Sequence, residues 1–499
     1  MLLTALVPPD PIATWQAAVP HARRAGLIIF LCILGLGLAW LPLPLAATAL
    51  LGAIAAALIL LRPNWGLIAL VPFIPFSSLV SLDVGGVRVG GMEALLALIL
   101  VAWLLNMAAR GQIVVPHPPL LLPWLLWLGV LLLSWLGALS LGAALTESLK
   151  WLEMLALYLF IVANVERRHL PWLVGAMLLG GAAQAALGIY QFLFRIGPEG
   201  FLLFGGRFLR AYGTFRQPNP YAGYLGLVLP IAYSLVLWGL LDRRQSPAEA
   251  SNHPHHPLRF TLYALLCFAL MLAALFASQS RGAWIGFVAA MIVVSLVRGG
   301  RTAALFTLAI AMLTGLGAAG GYRTLMPSFI SQRFSDVLTA PSVTDIATIE
   351  VTDANFAAVE RLAHWGAALD MWRDHPWLGV GFGNYAVVYP AYAVGRWLDP
   401  LGHAHNYYLN VGAETGLVGL LAYGLLWLCA LGLAWRAVRR SEGFQRAIAA
   451  GGLGVLVHLS LHNMVDNLFV QGMYLHVSVV LGLLYLLHNT EVDNLTHRI

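Results

Sequence analysis

The sequence predicts an all-α polytopic membrane protein with about 12–14 transmembrane helices, cytoplasmic N- and C-termini, and a long outer loop bearing amphipathic surface helices. Three observations predict it. Of 499 residues, 60% are apolar and only 10% are Asp, Glu, Lys or Arg, whereas a soluble domain carries about 25% charged residues. Apolar runs near the roughly 20 residues that cross a bilayer recur along the chain. The arginines between those runs keep to one side. This composition excludes a large soluble enzyme, a nucleic-acid-binding module and a disordered scaffold. It also excludes a disulfide framework, because Cys32, Cys267 and Cys429 each lie inside an apolar run.

The runs are 26–42, 45–61, 64–82, 92–109, 119–139, 145–163, 170–192, 221–241, 260–278, 282–297, 302–319, 406–434, 447–463 and 469–487. Two are irregular. Pro72 and Pro75 interrupt 64–82, and 145–163 contains Glu147, Lys150 and Glu153, which read as a self-neutralising set at i, i+3 spacing. No cleavable leader is expected, since the first twenty residues lack a basic segment and hold four prolines.

Orientation follows from the net charge of +6, almost all of it arginine, with Lys150 the only lysine. With the N-terminus inside, Arg23, Arg24, Arg62, Arg110, Arg167, Arg168, Arg243, Arg244, Arg298, Arg301, Arg436, Arg439, Arg440 and Arg446 all fall inside, as the positive-inside rule requires. Two outer segments are long, 193–220 and 320–404, and a connection of the second one's length signals function. The stretch 355–373 reads as an amphipathic helix resting on the outer membrane surface, with Phe356, Val359, Leu362, Ala363 and Leu369 on its apolar face. The inner loop 242–259 reads as solvated, its His253, His255 and His256 without fixed geometry. The chain thus divides into N-terminal spans (1–192), a core with both outer loops (193–440) and C-terminal spans (441–499).

Polar chemistry gathers on the outer side, where ionisable residues in so apolar a chain are the natural site candidates. Arg210 precedes Asn219-Pro220, which reads as N-cap and first helical residue. Arg281, in the turn Ser278–Gly282, breaks the inside bias in a turn too short to be exempt. Glu360, Arg361 and His364 share the surface helix. His403, His405 and Asn406 lead into the run at 406; no carboxylate or Cys lies at ligand spacing in the local sequence, so no metal site is expected. Gly412, Gly416 and Gly419 are placed by helical counting on the face of His405, with Glu414 opposite. Leu459 stands where a metalloprotease would place Glu, so His458 and His462 read with Asn463 and Asp466 as a hydrogen-bonded cluster. Spans starting near 219, 281 and 406 have outward N-termini. If these converge, arginines and helix ends together form a phosphate site.

Four stretches in the same order resemble the O-antigen ligase and polymerase superfamily. They are RAYGTFRQPNPYAG at 210–223, SQSRGAW at 278–284, ERLAHWGAALDMWRDHPWLGVGFGNY at 360–385 and HAHNYYLNVGAETGLVG at 403–419. His405-Asn406, then nine residues, Gly416, two residues and Gly419 fit the ligase signature. The resemblance covers roughly 200–430. It implies a metal- and cofactor-free inverting glycosyltransferase on the outer face of the cytoplasmic membrane. Its donor would be an undecaprenyl-diphosphate-linked glycan and its acceptor a glycolipid or glycan hydroxyl. It maps the diphosphate-binding arginines to Arg210, Arg281 and Arg361, and the catalytic residues to His405 and Arg281. Asn219, Glu360, His403 and Asn406 would support them. The alternatives are a polymerase joining repeat units and a small-solute transporter. A transporter should repeat its topology and place charges near mid-bilayer, and neither feature is present in the sequence.

Overall fold

A computed structural model describes residues 42–79, 81–84, 87–111, 115–203, 206–241, 257–316, 351 and 355–489. The first apolar run, most of the inner loop with its three histidines, and much of the segment 320–404 lie outside the described residues. The protein is an all-α polytopic membrane protein. Eight described helices are long and apolar enough to cross a membrane, and each apolar run beyond the first, except 64–82, coincides with a helix.

In chain order the helices are α1 (Leu43–Leu61), α2 (Pro63–Phe73), α3 (Gly91–Ala109), α4 (Leu121–Ser134), α5 (Leu141–Asn164), α6 (Leu170–Phe194), α7 (Pro218–Leu241) and α8 (Pro257–Ser278). They continue with α9 (Arg281–Arg298), α10 (Gly300–Leu316), α11 (Phe356–Asp374), the single turn α12 (Tyr385–Val388), α13 (Tyr407–Arg440), α14 (Gly443–His462) and α15 (Met473–His488). Two short antiparallel hairpins interrupt them, β1 (Ser81–Val84) with β2 (Val87–Gly90) and β3 (Leu202–Leu203) with β4 (Phe208–Leu209). The run at 64–82 is therefore not one span. Pro72 ends α2 within a residue, and a 3₁₀ segment, Ile74–Leu79, follows. The charged run at 145–163 is a continuous 24-residue helix, α5.

Contacts divide the chain into residues 1–65 and 66–499. In the first unit, α1 leaves most of its apolar side chains exposed. In the second, α14 packs on α7 and α9, and α8 packs on α6 and α7. A second group joins α5 to α15 and α4 to α13; α13 packs on both α14 and α15 and so links the groups. Aromatic residues fill the second group, with Trp127 edge-on to Trp151 at 5.3 Å and Trp124 stacked on Tyr158 at 5.7 Å. On α13, Leu426, Ala430, Leu433 and Ala434 are buried while Leu421, Leu425 and Leu428 are exposed. A helix apolar on both faces suits a lipid surround.

α13 spans 34 residues but breaks at Gly416, where φ is 63° and ψ −161°. Into the break fits the loop 376–384. Val380 N–H donates to Ala413 O at 2.9 Å, Gly381 N–H to Glu414 O at 3.0 Å, and Leu417 N–H to Pro376 O at 2.8 Å. These bonds satisfy backbone groups that the break frees, the condition for irregular backbone beside a spanning helix. Gly379, at φ +67°, is essential to the fit, because a Cβ there would lie 2.2 Å from the Glu414 carbonyl carbon.

α11 packs on α13, and its buried residues are Val359, Ala363, His364, Ala367, Ala368 and Met371. This corrects the apolar face read from the sequence, since Phe356 is exposed and Leu362 only half-buried. Small residues, not the bulky ones, let the helix approach α13.

Candidate functional site

The loop 210–217, the heads of α7, α9, α13 and α15, one face of α11 and part of α5 enclose a cavity of about 1130 Å³. Arg210, Asn219, Arg281, Glu360, Arg361, His403 and His405, predicted from separate stretches, all line it. Asn406 is not on the lining; it holds the head of α13 beside it.

Arg210 and Arg361 are positioned by backbone carbonyls and a side-chain amide. Arg210 Nε donates to Ser278 O at 2.9 Å and its Nη2 to Asn219 Oδ1 at 3.1 Å, tying the loop before α7 to the end of α8. Asn219 is therefore not the N-cap. The helix starts one residue earlier at Pro218, and the Asn219 side chain orients Arg210. Arg361 Nε donates to Val465 O at 3.2 Å and its Nη1 to Ala357 O at 3.1 Å. Arg281 is the first residue of α9, whose N-cap Ser280 makes no side-chain capping bond. Arg216 lines the cavity as well, although the sequence reading did not select it.

The helix ends differ in what they offer an anion. α7 begins with prolines at 218 and 220, which have no N–H. At α13, Asn406 Oδ1 accepts from Tyr408 N–H and Leu409 N–H at 3.0 and 3.1 Å. Only α9 brings both a head without a side-chain cap and an arginine, the arrangement that suits phosphate.

His405 lies before α13, not on it, in a left-handed conformation with φ 52°. Counting a helical face from His405 to Gly419 therefore fails twice, at the helix start and at the Gly416 break. Glu414, read as facing away, lines the same cavity. Of the six described non-glycine residues with left-handed φ, five line the cavity: Arg216, Gln279, Leu401, His405 and Gln471. Such strain persists where surroundings enforce it and concentrates at functional sites.

The residue that sequence reasoning did not place beside His405 is Asp466. Its Oδ1 lies 3.8 Å from His405 Nδ1, and the carboxylate is 4% exposed. Buried Asn463 holds this linker, its backbone O accepting from Tyr407 N–H at 2.8 Å and its Oδ1 from Leu468 N–H at 3.0 Å. Burial alone would raise the Asp466 carboxyl. Interaction with His405, then His403 and His462, outweighs it and holds the carboxyl well below the ordinary carboxylate range. Asp466 is thus an anion facing His405.

His403 accepts from His405 N–H through Nδ1 at 3.0 Å. Burial, then the neighbouring His405, lowers its imidazole to about 4, so it is neutral at pH 7 and a weak base. Burial raises the Glu360 carboxyl. His364 does not reach the cavity; it is 1% exposed, stacks on Tyr389 at 4.7 Å and pairs through Nδ1 with Tyr385 OH at 3.0 Å. His458 and His462 lie inside α14 with ring centroids 5.4 Å apart. His458 packs against Gly226 and Gly286 in the core, whereas His462 lines the cavity beside Asp466.

Among the described residues, His403, His405 and Asp466 could hold a metal ion, their ligand atoms lying within 4.8 Å of one another. The local sequence offers no carboxylate here; the fold supplies one from sixty-one residues further on.

This is a polytopic helical membrane protein in which helix heads and arginines line one cavity. The chain carries an O-antigen ligase superfamily domain, since residues 266–424 match the family model described as O-antigen ligase. Arg281, Glu360, Arg361, His403, His405 and Asn406 fall within the matched stretch; Arg210, Asn219 and Asp466 fall outside it. No curated protein matches the chain. The match supports an O-antigen ligase- or polymerase-type, glycosyltransferase-like function in the bilayer.

Proposed function

We propose that the protein is a metal-independent, inverting glycosyltransferase. It moves a glycan from undecaprenyl diphosphate to an acceptor hydroxyl at the outer face of the cytoplasmic membrane. The observation that carries this reading is the gathering of Arg210, Arg281 and Arg361 with the His405–Asp466 pair on one cavity.

The chemistry follows from charge. The bond between the anomeric carbon and the diphosphate oxygen breaks as the acceptor oxygen bonds to the opposite face of that carbon. Negative charge grows on the diphosphate leaving group. Guanidinium groups fixed in advance by Ser278 O, Asn219 Oδ1 and Val465 O stabilise it without reorganising. Their planar forks match phosphate oxygens, and α9 adds the partial positive charge of its N-terminus. The acceptor hydroxyl loses its proton to His405. Asp466 faces Nδ1, so Nε2 is the nitrogen left for the acceptor, and the carboxylate stabilises the imidazolium that forms. A polymerase would share this donor end and differ in its acceptor.

The outward placement of the site is tested by thiol labelling. In a background lacking Cys32, Cys267 and Cys429, Arg373→Cys on exposed α11 should react with a membrane-impermeant reagent in intact spheroplasts. Ala250→Cys should react only after permeabilisation. The reverse pattern contradicts an outward-facing site.

A further inference from the structure

We propose that the cavity wall formed by α5, α13 and α15 is the acceptor subsite, and that it receives a hydroxyl-bearing sugar ring rather than an anion. The proposal rests on the glycosyltransferase reading above and deepens it.

The cavity is divided by charge. Arg210, Arg216, Arg281 and Arg361 belong to the loop before α7, the head of α9, and α11. α9 packs on α7, α10 and α14, whereas α5 packs on α3, α4 and α15. The α5 wall contributes Glu147, Lys150 and Trp151 to the lining, α13 contributes Tyr407 and Glu414, and α15 contributes Tyr474. It therefore presents one lysine, two carboxyl side chains and aromatic rings where the other wall presents four arginines, with Glu360 beside Arg361.

Glu147 and Lys150 form an ion pair within α5. α5 runs 24 residues and carries three ionisable side chains, Glu147, Lys150 and Glu153, and ionisable residues within membrane segments are costly and mark substrate paths. The Glu147 and Lys150 side chains stay partly open, at 38% and 26% exposure, and both border the cavity. A neutral pair offers N–H donors and carboxylate acceptors side by side. Sugar hydroxyls, which both donate and accept, satisfy such a pair. A second phosphate would meet Glu147 and Glu414.

Tyr407 gives an independent sign of a ligand. It is 3% exposed and lines the cavity, yet its hydroxyl makes no hydrogen bond of good geometry among the described residues. The nearby Trp151 indole can only donate, so the phenol proton still needs an acceptor, which a sugar oxygen provides. Phe469 packs on Tyr407 at 4.6 Å and on Trp151 at 5.1 Å, giving an apolar shelf for the C–H face of a ring.

The position relative to the base fits the reaction. Asp466 lies on the linker from α14 to α15, and His405 heads α13, which packs on both. The imidazole thus belongs to the segments joining the arginine wall to the α5 wall. Inversion requires the acceptor oxygen to approach from the side opposite the diphosphate, with both held in reacting geometry.

The test uses the full-length protein in detergent, a polyprenyl-diphosphate glycan as donor, and glycolipids extracted from the native host's membranes as acceptor. Glu147→Gln and Lys150→Met should each raise the KM for the extract about 10- to 100-fold, the range for hydrogen bonds to charged groups. The Kd for bare polyprenyl diphosphate should stay at its wild-type value. The exchanged pair, Glu147→Lys with Lys150→Glu, keeps the ion pair, so a purely structural role predicts recovery. The acceptor subsite predicts none. Recovery in the exchanged pair, an unchanged acceptor KM in the single variants, or equal loss of polyprenyl diphosphate binding would each overturn the proposal. Absence of wild-type transfer would instead contradict the glycosyltransferase reading itself.

Discussion

Arg281→Ala is expected to slow glycan transfer by roughly 10²–10³-fold, the usual cost of removing one fixed donor to developing transition-state charge. Arg281→Lys should recover little of it. Lysine keeps the positive charge but replaces a planar, two-pronged donor with a single ammonium on a flexible stem. The effect should exceed that at other arginines of the same helix, because Arg281 starts α9 at the cavity with no side-chain cap beside it. Arg298 provides the control. It lies at the far end of α9, over the Trp238 ring at 5.1 Å, about 26 Å along the helix at 1.5 Å per residue. Arg298→Lys should transfer at near wild-type rate. Initial rates of transfer, measured on variants that elute as wild-type protein does, decide the matter. Near wild-type rates in both Arg281 variants would remove it from the diphosphate site.

His405→Ala should lower turnover by roughly 10²–10⁴-fold, the range for loss of a general base. Binding of the lipid diphosphate should survive, since the arginines supply it. His405→Gln separates proton transfer from hydrogen bonding, as an amide donates and accepts but cannot carry a proton away. Asp466→Asn should lower turnover with little change in donor binding, because the anion facing Nδ1 is lost while the arginines remain. His403 is a poor substitute base, being lowered to about 4 by burial and its neighbour. An active His405→Gln enzyme with the wild-type pH profile would leave a site of arginines alone.

Much of the fold was legible because a bilayer imposes a simple local rule, and each apolar run beyond the first, except the proline-broken 64–82, is met by a helix. Arg210, Arg281 and Arg361 stood out for a related reason, since charge in so apolar a chain must be held somewhere. The misreadings share one cause. Asn219 resembles a cap, yet its amide serves Arg210, nine residues back and out of reach of any helical pattern. The Gly416 break, filled by the loop 376–384, returned Glu414 to the cavity that helical counting had denied it. Asp466 was unreadable as a partner of His405 because sixty-one residues and two whole helices separate them. Sequence periodicity reports the neighbours within a few turns; a site assembled from helix heads depends on contacts between helices.

The most direct measurement follows label from a purified polyprenyl-diphosphate glycan to the host's glycolipids in detergent, using the purified protein with EDTA present throughout. The account predicts transfer in EDTA at the rate seen without it, with the new glycosidic bond in the anomeric configuration opposite to the donor's. No transfer, transfer abolished by EDTA and restored by a divalent cation, or a retained configuration would contradict it.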